Sequence, residues 1–172
     1  MDLRALIREV PDFPKPGVNF KDVTTVMTNG EALRYIVKRM AEHFGPKKPQ
    51  RIVGVESRGF LLGAPLAYEL GVGFVLVRKA GKLPAEKISV EYELEYGRDR
   101  LEMHVDSIEP GMPVAIVDDL LATGGTMSAT AQLVEQLQGR IVGFGFLIEL
   151  TYLGGRERLK GYDVFSLVQY DK

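Results

Sequence analysis

Residues 114–126 read VAIVDDLLATGGT, and no other stretch restricts the fold as strongly. Val114, Ala115, Ile116 and Val117 are apolar without alternation, so the strand they form must be buried on both faces. Two carboxylates follow, then a Gly-Gly pair, then a pattern of helical period over residues 126–137. A doubly buried strand that runs directly into a helix belongs in a parallel sheet with helices on both sides. The rest of the chain repeats the theme. Residues 52–55, 74–77, 141–148 and 164–168 are further continuous apolar runs, and residues 60–70 read as a helix ending at Gly71. The expected class is α/β, a mainly parallel twisted sheet flanked by helices.

One part departs from this pattern. Ile88, Val90, Tyr92 and Leu94 alternate with charged residues, Gly97 turns, and Leu101, Met103 and Val105 alternate again. That predicts an antiparallel hairpin with one wet face. The preceding residues 78–87, RKAGKLPAEK, predict a mobile loop. Near the beginning, Leu3, Leu6, Ile7 and Val10 fall at helical spacing, so a short amphipathic helix is expected over residues 2–10. Pro11, Pro14 and Pro16 end it, and residues 17–27 read as irregular. Asn29 is placed to cap a helix through Phe44 whose inner face is Leu33, Ile36, Val37, Met40 and Phe44, with Gly45-Pro46 stopping it.

Composition narrows the function classes. A chain of 172 residues suits one compact domain. Its net charge of −1, with Lys and Arg dispersed, lacks the concentrated positive charge by which nucleic-acid binders displace counterions. With no cysteine there is no disulfide, thiolate metal site or cysteine nucleophile, which suits a reducing cytoplasm. Charges interrupt the apolar part of residues 1–13, unlike a secretory signal, and no apolar run is long enough to span a bilayer. His43 and His104 have no metal-ligand companion at suitable spacing. Ser57 is not a hydrolase nucleophile elbow, because Val55 stands where that turn needs glycine.

Residues 114–126 also carry chemistry. The strand-to-helix junction of an α/β sheet lies where ligands bind. Gly124 and Gly125 let the backbone approach a ligand closely. The helix N-terminus offers unpaired N–H groups and the positive end of its dipole to a phosphate, and Thr123 and Thr126 add hydroxyl donors. Asp118 and Asp119 cannot hold the phosphate, but they can accept hydrogen bonds from vicinal hydroxyls or position water on a metal. Phosphate donors beside hydroxyl acceptors describe a sugar-phosphate site. Other phosphate motifs, the Walker loop and the dinucleotide glycine fingerprint, are absent.

The same thirteen residues resemble the phosphoribosyl-pyrophosphate motif of type I phosphoribosyltransferases. Three further segments resemble the adenine enzymes of that family: PGVNFKDVT at residues 16–24, VESRGFLLGAPLA at 55–67 and LEYG at 94–97. The likeness runs from about residue 13 to residue 170. It implies the type I phosphoribosyltransferase fold over residues 1–172, with a small hood and arm at about 1–28 and a flexible loop and hairpin at about 78–97. It implies transfer of phosphoribose from phosphoribosyl pyrophosphate to adenine, a pentosyltransferase reaction giving AMP and pyrophosphate with Mg²⁺ held mainly by substrate and water.

Site roles follow from the resemblance. Ala122, Thr123, Gly124, Gly125 and Thr126 are expected to bind the 5-phosphate, and Asp118 and Asp119 the ribose hydroxyls. Arg58, in the Ser57-Arg58-Gly59 turn, meets pyrophosphate, where negative charge builds as it departs. Arg78, Lys79 and Lys82 are placed to close over the same group and exclude water, and Tyr96 to line the same region. Glu95 is the position that handles the proton on the base. Asn19, Phe20 and Lys21 frame adenine by backbone hydrogen bonds and an aromatic face; here Lys21 replaces a frequent Arg and Asn19 a frequent apolar residue. Family members are generally homodimers. Two other readings share the motif: a xanthine or other oxopurine enzyme, and a non-catalytic regulator that senses phosphoribosyl pyrophosphate. The latter typically carries a separate basic DNA-binding domain, for which this chain has no room.

Overall fold

The computed structural model describes residues 1–94 and 97–172. In chain order the elements are α1 (Leu3–Leu6), β1 (Arg8–Val10), β2 (Phe20–Asp22), α2 (Thr24–Met27), α3 (Gly30–Phe44), β3 (Arg51–Val55), α4 (Arg58–Leu70), β4 (Gly73–Lys79) and β5 (Lys87–Leu94). They continue with β6 (Gly97–His104), β7 (Pro113–Leu121), α5 (Gly125–Gln136), β8 (Arg140–Leu150), α6 (Gly155–Arg158) and β9 (Val164–Tyr170).

Seven strands form one sheet in the order β5-β6-β4-β3-β7-β8-β9. The five from β4 to β9 are parallel. The β5–β6 hairpin joins them antiparallel, through Arg78 opposite Glu102 and Lys79 opposite Leu101. Alternate side chains of the central strands serve two cores. Ile52, Ala115, Val117 and Leu147 pack with Ile36, Met40 and Phe44 of α3 and Leu62 and Leu66 of α4. Val53, Ile116, Phe144 and Phe146 pack with Met127, Leu133 and Val134 of α5. The uninterrupted apolar runs in the sequence are the consequence of this two-sided burial.

Asn29 caps α3 as expected, its side chain accepting from Ala32 N–H at 3.0 Å, a contact of about 1 kcal/mol. Leu33 is only half-buried, and Ala32 takes its place on the inner face. The hairpin expectation also holds: Val90, Leu101 and Met103 are buried while their charged neighbours face outward, except Glu102, which is buried.

Three expectations need correction. The helix anticipated over residues 2–10 stops at Leu6, and Arg8–Val10 become a strand. Its partner lies in the stretch read as irregular: Arg8, Glu9 and Val10 pair antiparallel with Asp22, Lys21 and Phe20. Pairing across a gap of ten or more residues is invisible to local periodicity, and it outweighs helical spacing in so short a segment. Residues 24–27 then form the short helix α2. Finally, β7 does not end at Val117. It continues through the acidic pair to Leu121, because β8 runs beside it as far as Glu149. Among the described residues, no helix is long and apolar enough to cross a membrane.

Candidate active site

Strand order places the site. From β3 the chain leaves through α4 to β4 on one side, and from β7 through α5 to β8 on the other. The carboxyl ends of the neighbours β3 and β7 therefore open a crevice, as at any reversal of strand order in a parallel sheet. Into it project the turn after β3, with a cis Glu56–Ser57 peptide and Arg58 at the start of α4, and the end of β7 with its following loop.

The loop from Ala122 to Gly124 has a tightly specified shape. Gly124 has φ +86°, and a Cβ there would stand 2.8 Å from the carbonyl oxygen of Gly155. A side chain is thus disfavoured by both backbone angle and space. Gly155 is just as confined, since its Cβ would meet the Ala122 carbonyl oxygen at 2.4 Å. The two glycines let α6 press the loop against α5. With glycine at its N-cap, α5 has no side-chain cap, so its first N–H groups face the crevice without an internal partner. A cavity of about 200 Å³ lies there, lined by Arg58, Asp118, Asp119 and the residues from Leu120 to Met127. All five residues expected at the phosphate come together in it.

The two carboxylates are not equivalent. Asp119 is buried, and its Oδ2 accepts from Arg58 Nε at 2.5 Å. The charge of Asp119 is the largest cause raising the Arg58 guanidinium above its ordinary value. Asp118 accepts from the Asp119 N–H at 2.8 Å. Burial, and then the neighbouring charge of Asp119, push its carboxyl well above the usual range. The site thus holds one carboxylate paired with a cation and one shifted toward its neutral form, as expected of two acids sharing a crevice.

A second cavity of about 340 Å³ adjoins the first and shares Arg58, Asp119 and Leu120 with it. Residues 17–21 form one wall, and Leu150, Tyr152 and Leu153 another. The side chains of Asn19 and Lys21 are committed elsewhere: Asn19 Nδ2 donates to Glu9 Oε2 at 2.6 Å, and Lys21 Nζ lies 3.1 Å from the same oxygen and 4.2 Å from the centre of the Tyr170 ring. What both residues offer the cavity is therefore chiefly main chain. The Phe20 ring also lines it, edge-on to Phe13 at 5.3 Å.

The expected pyrophosphate cations are gathered by Glu56. Its Oε1 accepts from the Lys79 N–H at 2.6 Å and lies 3.3 Å from Arg78 Nε, while Oε2 lies 2.5 Å from Lys82 Nζ. Burial works to raise the Glu56 carboxyl, but these donors prevail and hold it below its ordinary value. Arg78 and Lys79 end β4, and the Lys79 ammonium turns instead to Asp99 at 3.3 Å. Tyr92 donates to the same Asp99 at 3.3 Å. Glu95 and Tyr96 lie outside the described residues.

Sequence reasoning missed Glu9, Glu56, Gly155 and the wall of Tyr152 and Leu153. Only the last left a signal: large apolar residues just beyond the carboxyl end of β8, exposed at 52% and 41%, stand where parallel sheets bind ligands.

Comparison with known proteins agrees with this geometry. Residues 23–170 match the phosphoribosyl transferase domain family. The chain is 61% identical over 173 residues to adenine phosphoribosyltransferase of Acetivibrio thermocellus, covering 99% of this chain and 100% of that one. It superposes on the crystal structure of adenine phosphoribosyltransferase from Thermoanaerobacter pseudethanolicus with a TM-score of 0.95 and 54% identity, covering 98% of each chain. The Saccharomyces cerevisiae enzyme, solved with adenine and an imino-altritol bisphosphate, gives a TM-score of 0.91 and 42% identity over 96% of each chain. The likeness runs the length of the chain: it belongs to the phosphoribosyl transferase family, among the adenine phosphoribosyltransferases.

Proposed function

We propose that this chain transfers the 5-phosphoribosyl group of phosphoribosyl pyrophosphate to N9 of adenine, forming AMP and releasing pyrophosphate. The observation that carries the reading is the pair of contiguous cavities joined at Arg58 and Asp119, one ending at the N-terminus of α5 and the other under the N-terminal ribbon. A nucleoside monophosphate has its phosphate, sugar and base in that order. The 5-phosphate is assigned to Ala122, Thr123, Gly124, Gly125 and Thr126, and the ribose hydroxyls to Asp118 and Asp119. The base is assigned to the main chain of Asn19 and Lys21 with the ring of Phe20.

In the reaction the bond from the anomeric carbon to the pyrophosphate oxygen breaks, and a bond to N9 forms. Positive charge develops on the sugar and negative charge on the leaving group. Arg58 faces the leaving group from the Ser57–Gly59 turn, and Arg78, Lys79 and Lys82 are drawn to the same side by Glu56 and the hairpin. The base must lose a proton as it attacks. Glu95 is assigned to receive it at N7, a role that rests on the resemblance of LEYG to the family. Closure of Arg78, Lys79 and Lys82 over the pyrophosphate would exclude the water that otherwise competes for the sugar cation.

Among the described residues no cluster of three or more His, Asp or Glu side chains could by itself cage a metal. Asp118 and Asp119 beside the sugar position fit an ion held through water and substrate oxygens, the manner in which Mg²⁺ binds next to phosphates. When bound, Mg²⁺ supplies charge neutralisation to the departing pyrophosphate. A homodimer is supported by the outer face of α4, where Leu61 and Tyr68, seven residues apart, are exposed at 48% and 88%. Sedimentation at twice the chain mass is the expected result, and a monomer would remove this part.

The direct test mixes the protein with adenine, phosphoribosyl pyrophosphate and Mg²⁺ and measures AMP. Guanine and xanthine are offered in parallel. Product from an oxopurine without AMP from adenine would refute the assignment.

A further inference from the structure

The phosphate half of the site has an electrostatic shortfall. Its lining carries two carboxylates, Asp118 and Asp119, and one side-chain cation, Arg58, which is already paired with Asp119. A sugar phosphate brings up to two further negative charges to the far end of the same cavity. Helix N–H groups and threonine hydroxyls donate hydrogen bonds there, but they add no full positive charge.

Arg158 is not part of that lining but stands beside it, against Gly124 and Gly125, and is placed to supply one. It closes α6, the short helix whose Gly155 is pressed against the loop. Its Cβ stands 3.3 Å from where a Cβ would sit on Gly124, and its Nη1 stands 3.7 Å from the corresponding point on Gly125. The side chain therefore runs along the Gly124–Gly125 backbone and ends with its guanidinium beside the first residue of α5. Its neighbour Arg156 is spent on structure, donating to both oxygens of the buried Glu149 and to the Val164 carbonyl. Arg158 makes no ion pair among the described residues. It is exposed, and its guanidinium fork matches phosphate geometry.

We infer that Arg158 is a binding residue for the 5-phosphate, closing the side of the loop that α6 covers. This rests on the reading of the cavity as a phosphoribosyl site. It adds a cation from a segment 32 residues beyond Thr126 to a loop that otherwise binds phosphate through main chain and hydroxyls. Glycine at 124 serves two purposes on this account: it lets the ligand approach, and it leaves room for the Arg158 side chain, whose Cβ would crowd a Cβ there at 3.3 Å.

The experiment measures binding of AMP, ribose 5-phosphate and adenosine to the wild-type chain and to Arg158→Ala, Arg158→Lys and Arg158→Glu, with thermal melting of each. A charge-assisted contact at a partly exposed site is worth roughly tenfold in affinity. Arg158→Ala should weaken AMP and ribose 5-phosphate by about that factor and leave adenosine unchanged. Lys should restore part of the loss, and Glu should deepen it. Raised salt should shrink the difference between wild type and Ala. Equal affinity of wild type and Ala for ribose 5-phosphate would overturn the inference. So would an equal loss for adenosine and AMP, because that pattern belongs to a residue that only packs α6. Failure of the underlying reading is seen separately: the wild-type chain would then neither bind ribose 5-phosphate nor make AMP.

Discussion

The two halves of the crevice are built by opposite strategies. The half assigned to phosphate is almost one piece of chain: the end of β7, three loop residues and the first turn of α5, whose first main-chain N–H groups have no partner within the helix. The half assigned to the base is assembled from residues 17–21, Leu120, Leu150, Tyr152 and Leu153, which lie far apart in sequence. Its ribbon is held by ion pairs of Arg8 with Asp22 and Lys21 with Glu9, and by the hydrogen bond Asn19 donates to Glu9. A site made of consecutive backbone is rigid because its neighbours are covalent. A site made of distant segments is only as firm as the contacts that bring them together.

The largest expected effect leaves both halves intact. Glu95→Gln should lower turnover about a hundredfold or more while phosphoribosyl pyrophosphate and adenine still bind, as single-turnover and binding measurements would report. Unchanged turnover would mean that the proton goes elsewhere. Next, Gly124→Val should break the phosphate half alone. Its φ of +86° and the 2.8 Å approach to Gly155 make a branched side chain untenable. Strain of about 2–3 kcal/mol corresponds to a rise in KM for phosphoribosyl pyrophosphate of roughly thirty- to a hundredfold. Circular dichroism would check that the sheet survives. A comparable loss of adenine affinity would show that the halves are not separable.

Glu9→Gln should touch only the base half, and more gently. It removes the charge that holds Lys21 and keeps an acceptor for Asn19. A rise of about threefold in KM for adenine, with that for phosphoribosyl pyrophosphate unchanged, is the expected size for a partly exposed ion pair. The opposite selectivity would contradict the division drawn above.

Acid should produce the smallest and most graded difference. Asp22 is held down to about 2 by the Thr24 hydroxyl and N–H and by Arg8. Its contribution to stability is complete above its ordinary value of 3.8 and is lost as pH falls from there through about 2. Glu9 has the same sign, its carboxyl being lowered by Asn19 and Lys21. Asp118 has the opposite sign. Burial and Asp119 raise it, so its charged form costs stability above 3.8, and acid relieves that cost. Between about pH 4 and 2, amide protection corrected for intrinsic rates should fall over residues 8–22 before it falls over residues 122–128. Simultaneous loss would argue that the ribbon is not held by these carboxylates.

This contrast explains how much could be read before the structure was known. The strands over residues 52–55, 114–117 and 141–148 were legible because burial on both faces leaves no polar position, and α3 because its cap and inner face lie within one helix. The strand-to-helix loop assigned to phosphate was legible as a unit for the same reason: Asp118 to Thr126 are adjacent in sequence. Residues 8–10 were misread as helix because their partner strand lies at residues 20–22. Glu9 and Glu56 passed unnoticed because an isolated glutamate has no signature until the cations it gathers are known.

For this protein, then, the sequence by itself determined the parallel sheet, the strand-to-helix loop of residues 118–126 and, through LEYG and PGVNFKDVT, the family. Those depend on periodicity and on short contiguous motifs. Only the tertiary structure decided that Arg58 pairs with Asp119, that burial and the neighbouring Asp119 raise the Asp118 carboxyl, and that Gly155 and Arg158 press on the loop before α5. Each of these is a contact between residues separated by about 30 positions or more, or a consequence of burial in a shared crevice. No linear pattern encodes such contacts, because distance through space is set by the packing of the whole sheet.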